Sequence, residues 1–209
     1  MARALGIDRF EQRKQTRAKL IEAALQLFST SGYEHATVDD ISHAAGYSKG
    51  AYYFHFSTKD DILLELLRMW TEDRTRVLAE HVEGGTGDLR ATLSAFFAYE
   101  QGSPWPAVLL EFWSQAVRHA EVSKRMTQAY SGWRKQLALA FEQAARNGDI
   151  RLDAAEDAAA VALAAHDGLA VQIAIGHPGG RGMTAAEIAD SIVAPLETAA
   201  GSERRTAVM

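Results

Sequence analysis

Apolar residues return at helical intervals along nearly the whole chain. Ile21, Ala24, Leu25 and Phe28 fall at i, i+3, i+4 and i+7, the spacing that lines one face of an α-helix. Gly32 follows at the place where a left-handed residue closes a helix. Thr37-Val38-Asp39-Asp40 opens a second helix in the manner of a capping box, with Ile41, Ala44 and Ala45 on one face. Gly46 breaks that helix after about two turns. Ser48 caps a third short helix that reaches to about Phe54, and Thr58-Lys59-Asp60-Asp61 opens a fourth over 58–82. Ile62, Leu66, Trp70 and Val77 form the expected buried stripe of the fourth helix.

Beyond Gly84-Gly85-Thr86-Gly87 the pattern predicts five more helices, over 88–101, 105–120, 122–146, 154–175 and 185–199. Pro104, Gly148 and the turn His177-Pro178-Gly179-Gly180 mark their joints. Asp153-Ala154-Ala155-Glu156 and Thr184-Ala185-Ala186-Glu187 are further helix-start boxes. No segment alternates as a strand does, and no repeat of 20–50 residues recurs. The fold class is therefore read as all-α with about nine helices. A content of 38 Ala against four Pro, none before Pro104, strengthens that reading.

Composition adds exclusions. A chain of 209 residues with 47% hydrophobic and 23% charged residues is of ordinary globular type, not disordered or fibrous. It has no cysteine, which removes disulfide frameworks, thiol nucleophiles and Cys-based zinc sites. No apolar run approaches the roughly 20 residues of a membrane helix, and Met1 to Asp8 holds no signal-peptide core. A cytoplasmic protein without membrane contact is expected.

Charge is uneven. The net charge is −5, yet residues 1–19 hold Arg3, Arg9, Arg13, Lys14, Arg17 and Lys19 against only Asp8 and Glu11. Residues 61–209 hold 14 basic and 20 acidic side chains. A basic end on an acidic body is consistent either with one surface for a polyanion or with a solvated charged leader.

Residues 37–59 read TVDDISHAAGYSKGAYYFHFSTK. Two short helices pivoting on Gly46, with small Ser42 and Ala45 at their crossing and Ser48 as the second cap, meet the needs of a helix-turn-helix. The second helix exposes its N-terminal amides together with Lys49, Tyr52, Tyr53 and His55, groups able to bond phosphates or contact base edges. A generic helix hairpin would share this geometry. Thr37, Val38, Ile41, Ala45, Gly46, Tyr47, Ser48, Gly50, Tyr53, His55, Phe56, Thr58, Lys59, Asp60 and Ile62, however, match a much longer pattern. Over roughly residues 10–65 the chain resembles the DNA-binding domain of the tetracycline-repressor-like (TetR) family of bacterial regulators, with Ser42 in place of the usual Ala.

The resemblance implies an N-terminal three-helix DNA-binding domain over 1–57, whose first nine residues form a flexible basic arm. A ligand-binding and dimerisation domain would follow over 58–200, with a frayed tail over 201–209. It implies that Thr37 and Lys59 hold phosphates, that Ser48, Lys49, Gly50 and Ala51 enter the groove first, and that Tyr53, Phe54 and His55 touch backbone or bases. Arg13 and Arg17, with Lys14, would reach flanking phosphates, and Arg3 and Arg9 could enter a minor groove. Tyr52 and Phe56 have the spacing of core residues. With Ala51 offering only a methyl group, sequence specificity would rest on Lys49 and on DNA shape.

In the body, Phe97, Trp105, Phe112, Trp113, Tyr130 and Trp133 concentrate aromatic bulk that either fills a core or walls a cavity for an apolar or cationic molecule. Gln115, His166, Asp167 and Gln172 are the polar candidates within it. His166-Asp167-Gly168-Leu169 with Gln172 resembles a segment of choline- and fatty-acid-responsive branches of the family, without identifying a ligand. Ala158, Ala162, Ala165, Leu169 and Ile173 form one face and Ile188, Ile192 and Leu196 another; the resemblance implies a four-helix dimer interface here, and an intrachain core face is the alternative.

An enzyme is rejected. The seven His lack HExxH spacing, and no cysteine assists a metal site. His166 and Asp167 are adjacent, so on a helix they point about 100° apart and would not form a relay. The glycine loops at 84–87 and 179–182 lack the Walker lysine, and no strand–turn–helix elbow is present. No cofactor or metal is expected. The expected function is a repressor that binds a palindromic operator as a homodimer and is released by a small hydrophobic, aromatic or amphipathic effector. The alternative is a DNA-binding regulator whose body meets a protein partner or only dimerises.

Overall fold

Two glycines with left-handed backbone set the first third of the chain. Gly32 (φ +80°) ends α1, Ala2–Ser31, and Gly46 (φ +76°) turns α2, Val38–Ala44, into α3, Lys49–His55. The computed structural model describes residues 2–83, 88–99, 102–176 and 183–198, with side chains from Phe10 onward apart from Glu83. The helix α1 reaches back to Ala2, so most of the stretch expected as a basic arm has helical backbone. The side chains of Arg3 and Arg9, the loops at 84–87 and 179–182, and the tail over 201–209 lie outside the described residues.

The short helices are held at their ends. Thr37 Oγ1 accepts from the Asp40 amide at 3.2 Å while the Asp40 carboxylate accepts from the Thr37 amide at 3.0 Å, the expected reciprocal box. Its hydrogen bonds hold the Asp40 carboxyl below the usual carboxylate range. Ser48 Oγ accepts from the Ala51 amide at 3.3 Å. Leu20, Ala24 and Phe28 of α1 meet Ile41 of α2 and Tyr52 of α3 in a core with Phe56 and Ile62. Tyr52 and Phe56 are thus core residues, and the Tyr52 hydroxyl donates to the Thr58 carbonyl at 2.9 Å.

The long helix α4, Lys59–Glu83, leads into the body. There follow α5, Leu89–Phe97; α6, Trp105–Ala116; α7, Ala120–Arg146; α8, Ala155–Ala174; and α9, Ala185–Val193, with a 3₁₀ turn over Ala194–Leu196. The described residues are all-α as expected, with one isolated bridge between Ile150 and Glu197. Ends differ from expectation where local backbone decides. The helix α5 stops at Phe97 because Ala98 is extended (ψ 132°), and α9 gives way to the 3₁₀ turn at Pro195, which has no N–H for a helical bond. The buried stripe of α4 ends on Leu78, with Val77 only half-buried.

The body packs α7 against α4 and α8, with α6 against α7 and α8 and α5 against α9. Its center is a ring cluster: Trp70 lies 5.0 Å from Trp133 edge-to-face, Phe96 5.7 Å from Trp133, and the His166 ring 4.9 Å from Phe96. Arg90 of α5 pairs with Asp190 at 2.8 Å and with Glu197, tying the C-terminal end to the bundle. The helix α1 also packs on α6, where Gly32 leaves room for the Glu111 carboxylate, 3.1 Å from where a Cβ would stand. No helix among the described residues is long and apolar enough to cross a membrane.

Candidate functional site

The second helix of the helix-turn-helix presents a continuous polar and aromatic surface. Ser48, Lys49, Gly50, Tyr53 and Phe54 are exposed, with Tyr53 at 54% and Phe54 at 63%, while Ala51 and His55 are half-buried. Burying Tyr52, with Phe56 just past the end of the helix, turns Lys49, Gly50, Tyr53 and Phe54 of this short helix toward solvent. The Arg13 guanidinium lies 5.0 Å from the Phe54 ring center, so α1 reinforces this face with a positive charge. Thr37 is exposed at the start of α2. Burial first, and then Arg17 and Arg13, holds the His55 imidazole below its ordinary pKa.

Three basic residues have partners that the sequence did not show. The Lys59 ammonium donates to the Tyr33 carbonyl at 2.6 Å and sits 4.2 Å from the Tyr33 ring center, where a phosphate contact had been expected. It clamps the α1–α2 turn to the start of α4, as does the Tyr33 hydroxyl bonded to Asp60. Arg17 pairs with Glu65 at 2.9 Å over the Phe56 ring, again an intrachain strut between α1 and α4. Lys49 is on the expected face but bonds Asp39 at 2.6 Å. Asp39 carried no role in the sequence reading, since ten residues and a turn separate it from Lys49.

In the body, the residues expected to wall one pocket do not share one. Phe97, Phe112, Trp133 and His166 are buried in the ring cluster, and Gln172 is exposed on α8. Trp113 and Tyr130, with Ala116, Met126, Leu163 and Asp167, line a cleft of about 550 Å³ between α6, α7 and α8. A separate cleft of about 480 Å³ is lined by Phe97, Tyr99 and Gln172, with Leu169, Ile173 and Met183. Trp105 is half-buried against the core and lines neither of these two clefts.

A hydrogen-bonded chain runs between the clefts. Trp113 Nε1–H donates to the Tyr130 hydroxyl at 3.2 Å, which donates to Asp167 Oδ1 at 2.7 Å. His166 Nδ1 lies 3.2 Å from the same oxygen, and His166 Nε2 lies 2.9 Å from the Tyr99 hydroxyl. A carboxylate only accepts, so the ring proton belongs on Nδ1 and Nε2 accepts from Tyr99. His166 and Asp167 therefore do join a polar relay, contrary to the reading from their adjacency. The side-chain torsions of the Asp bring its oxygen back beside the imidazole although the two Cα–Cβ bonds diverge. Burial and the Asp167 charge push the Tyr130 hydroxyl pKa upward, so it stays a donor.

The residues expected either at a dimer interface or in an intrachain core are divided by their burial. Ala162 is fully buried and Leu169 nearly so, both against their own chain, while Ala158, Ala165, Ile188, Ile192 and Leu196 are half-buried. Only Ile173 of that set is exposed. The outward stripe of α8 is instead Asp157, Val161, Ala164, Gln172 and Ile175, with Gly168 partly covered among them. In an alanine-rich helix nearly every face looks fit for close packing, so the apolar pattern did not pick out the outward one.

The described residues thus form an all-α chain with a capped helix-turn-helix at one end, the architecture of a DNA-binding transcriptional regulator. Two family models match it: bacterial regulatory proteins of the tetR family over residues 20–66, and the C-terminal domain of BetI-type transcriptional repressors over 86–196. The chain belongs to the TetR family. The transcriptional repressor KstR2 of Rhodococcus jostii is 31% identical over 143 residues, 66% of this chain and 69% of that one. The uncharacterized regulator YwcC of Bacillus subtilis is 50% identical over 56 residues, 27% of this chain but only 25% of its own length. Among solved structures, a transcriptional regulator from Rhodococcus sp. superposes with a TM-score of 0.71 at 26% identity, covering 86% of this chain and 95% of that one. A Saccharomonospora viridis regulator in complex with choline gives 0.69 at 22% identity, covering 86% and 94%. The latter likeness concerns the fold.

Proposed function

We propose that this regulator is a homodimeric repressor that places two copies of α3 in successive major grooves of a pseudo-palindromic operator and lets go when a small amphipathic molecule enters the α6–α7–α8 cleft. The observation that carries the reading is the outward face of α3, where Lys49, Gly50, Tyr53 and Phe54 stand free of the core that Tyr52 anchors. Residues 1–57 act as the reading head and 58–200 as the sensing and dimerising body. The outer stripe of α8, with Val161 61% and Ile175 61% exposed, is the surface that a second copy covers. The repressor works in the bacterial cytoplasm, where its operator is.

The cleft beside Trp113 and Tyr130 combines aromatic and apolar walls with one carboxylate, Asp167, and so suits a small molecule with an apolar body and a donor or cationic group. The choline in the S. viridis structure makes small cations the first compounds to screen. Transmission runs through α6 as well as α4. Trp113 lines the cleft, while two residues along, buried Gln115 donates to the Glu34 carboxylate at 3.1 Å on the α1–α2 turn. A shift of α6 thus pulls on the turn that Lys59 clamps. A preference of about 3 kcal/mol for the DNA-free state suffices to weaken operator binding more than a hundredfold.

The tight ring cluster of Trp70, Phe96, Phe112 and Trp133 favors a second reading, in which the body only dimerises or meets a protein. One titration separates them. Candidate ligands are added to the protein with and without promoter DNA, following tryptophan fluorescence and DNA anisotropy. The sensor reading requires that DNA release and the fluorescence change share a midpoint and that DNA weakens ligand binding by the same factor. A ligand bound equally by free and DNA-bound protein would falsify the switch.

A further inference from the structure

We infer that Asp39 is a specificity-determining residue: with Lys49 it forms a donor–acceptor pair that reads a G·C base pair and rejects sequence-blind phosphate contacts. The inference rests on α3 being the reading helix. Lys49 Nζ and Asp39 Oδ2 stand 2.6 Å apart, with both side chains more than half exposed. Among the described residues the Asp39 carboxylate bonds Lys49, whereas its neighbor Asp40 is committed to the cap of α2. The pair does not hold the fold, because Ile41, Tyr52 and the Gly46 turn already fix α2 on α3 and an exposed ion pair adds little. Its consequence lies at the surface that meets DNA.

A free lysine at this place would take any phosphate, since the backbone is identical at every step. Asp39 neutralises Lys49 and sets a negative charge where the phosphates of a closely docked duplex also lie, which disfavors such contacts. The major-groove edge of a G·C pair is different. Guanine offers two acceptors, O6 and N7, and the cytosine N4 amino group beside them is a donor. The spacing between guanine O6 and cytosine N4 is that of an ordinary hydrogen bond, about 2.9 Å, close to the separation of Nζ and Oδ2 in the pair. Lysine on O6 and N7 with aspartate on N4 satisfies both charged groups at once. An A·T pair offers no two adjacent acceptors for the ammonium and adds a methyl group.

The test uses the full chain and a pool of random-sequence duplexes, from which the wild-type protein enriches its preferred sites. Affinity for the enriched duplex and for the unselected pool is measured by anisotropy for wild type, Asp39→Asn, Asp39→Ala and Lys49→Met. The expected result is that both Asp39 variants bind the unselected pool about five- to tenfold more tightly and the enriched duplex no more tightly than wild type, because the contact to cytosine N4 is lost, so the preference for the enriched duplex over the pool falls by about fivefold or more. Their salt dependence on the pool should steepen by about one phosphate contact, a slope change near 0.9. Enrichment with Asp39→Asn or Lys49→Met should lose one G·C position from each half-site that wild type selects. Equal factors on the pool and on the enriched duplex would reduce Asp39 to a general charge effect and overturn the proposal, as would no change on either. If wild type enriches no sequence, the assignment of α3 as reader falls, and the role of Asp39 with it.

Discussion

The head and the body of this regulator are both helical, yet they place their chemistry on opposite sides of their helices. In the head, α2 and α3 have seven residues each and are fixed by caps and a glycine turn. Large side chains such as Tyr53 and Phe54 are left in solvent. In the body, α4 and α7 run 25 and 27 residues, and the aromatic rings turn inward against one another. Polar groups there are threaded through the core, as in the chain from Trp113 to Tyr99. A rigid exposed surface reads a polymer too large to enclose, whereas an interior can be tuned to enclose something small. The two meet at the α1–α2 turn, where Lys59 and Gln115 both bind its backbone or side chains.

The sharpest way to break this comparison is to charge the body on its two sides. Ala162→Arg buries an unpaired guanidinium in the chain's own core, at a cost on the order of 3–5 kcal/mol, and should lower the thermal midpoint severely. Val161→Arg, one residue away on the exposed side, should leave the midpoint of the protomer nearly unchanged and shift sedimentation toward the monomer. A dimer that survives Val161→Arg would place the interface elsewhere.

The head can be unmade on its own. Tyr52→Ala empties the center of the small core, at a cost of roughly 3–5 kcal/mol, and should abolish operator binding. All four tryptophans lie from Trp70 onward, so their emission should be retained at room temperature if the body stands independently. A matching loss of tryptophan signal would show one cooperative unit. Tyr53→Ala with Phe54→Ala removes only exposed rings. It should leave the melting curve in place while lowering operator affinity by about 1–3 kcal/mol.

The smallest effect expected is one of pH. Burial and two arginines hold the His55 pKa below its ordinary value in the free protein, and nearby phosphates would favor its charged form. Operator affinity should then rise a few-fold as pH falls from about 8 to about 6, a slope that His55→Gln would flatten. Stability has the opposite sense. The unfolded state binds the His55 proton more readily, so the folded state is at full advantage above the ordinary imidazole pKa and loses part of it as pH falls below.

The sequence by itself determined the punctuation. Thr37, Ser48 and Thr184 cap helices in the structure where their side chains and spacing predicted caps, and Gly32, Gly46 and Gly148 have the left-handed backbone that ends a helix. These features depend on a handful of consecutive residues, yet the box expected at Asp153-Ala154-Ala155-Glu156 does not form, since α8 starts after Ala154 with no side-chain cap. The burial of Tyr52 and Phe56, and with it the outward face of α3, follows from the same short-range spacing. Only the tertiary structure decided which surface of α8 faces out, because Ala162 and Ala164 are chemically alike and differ only in what packs on them. It alone gave Lys49 the partner Asp39, drew Lys59 onto the Tyr33 carbonyl, and sent Trp133 to the core while Trp113 lines a cleft. Long side chains at helix surfaces reach 5–6 Å or more to whatever the fold brings near, and no local pattern records which neighbor that will be.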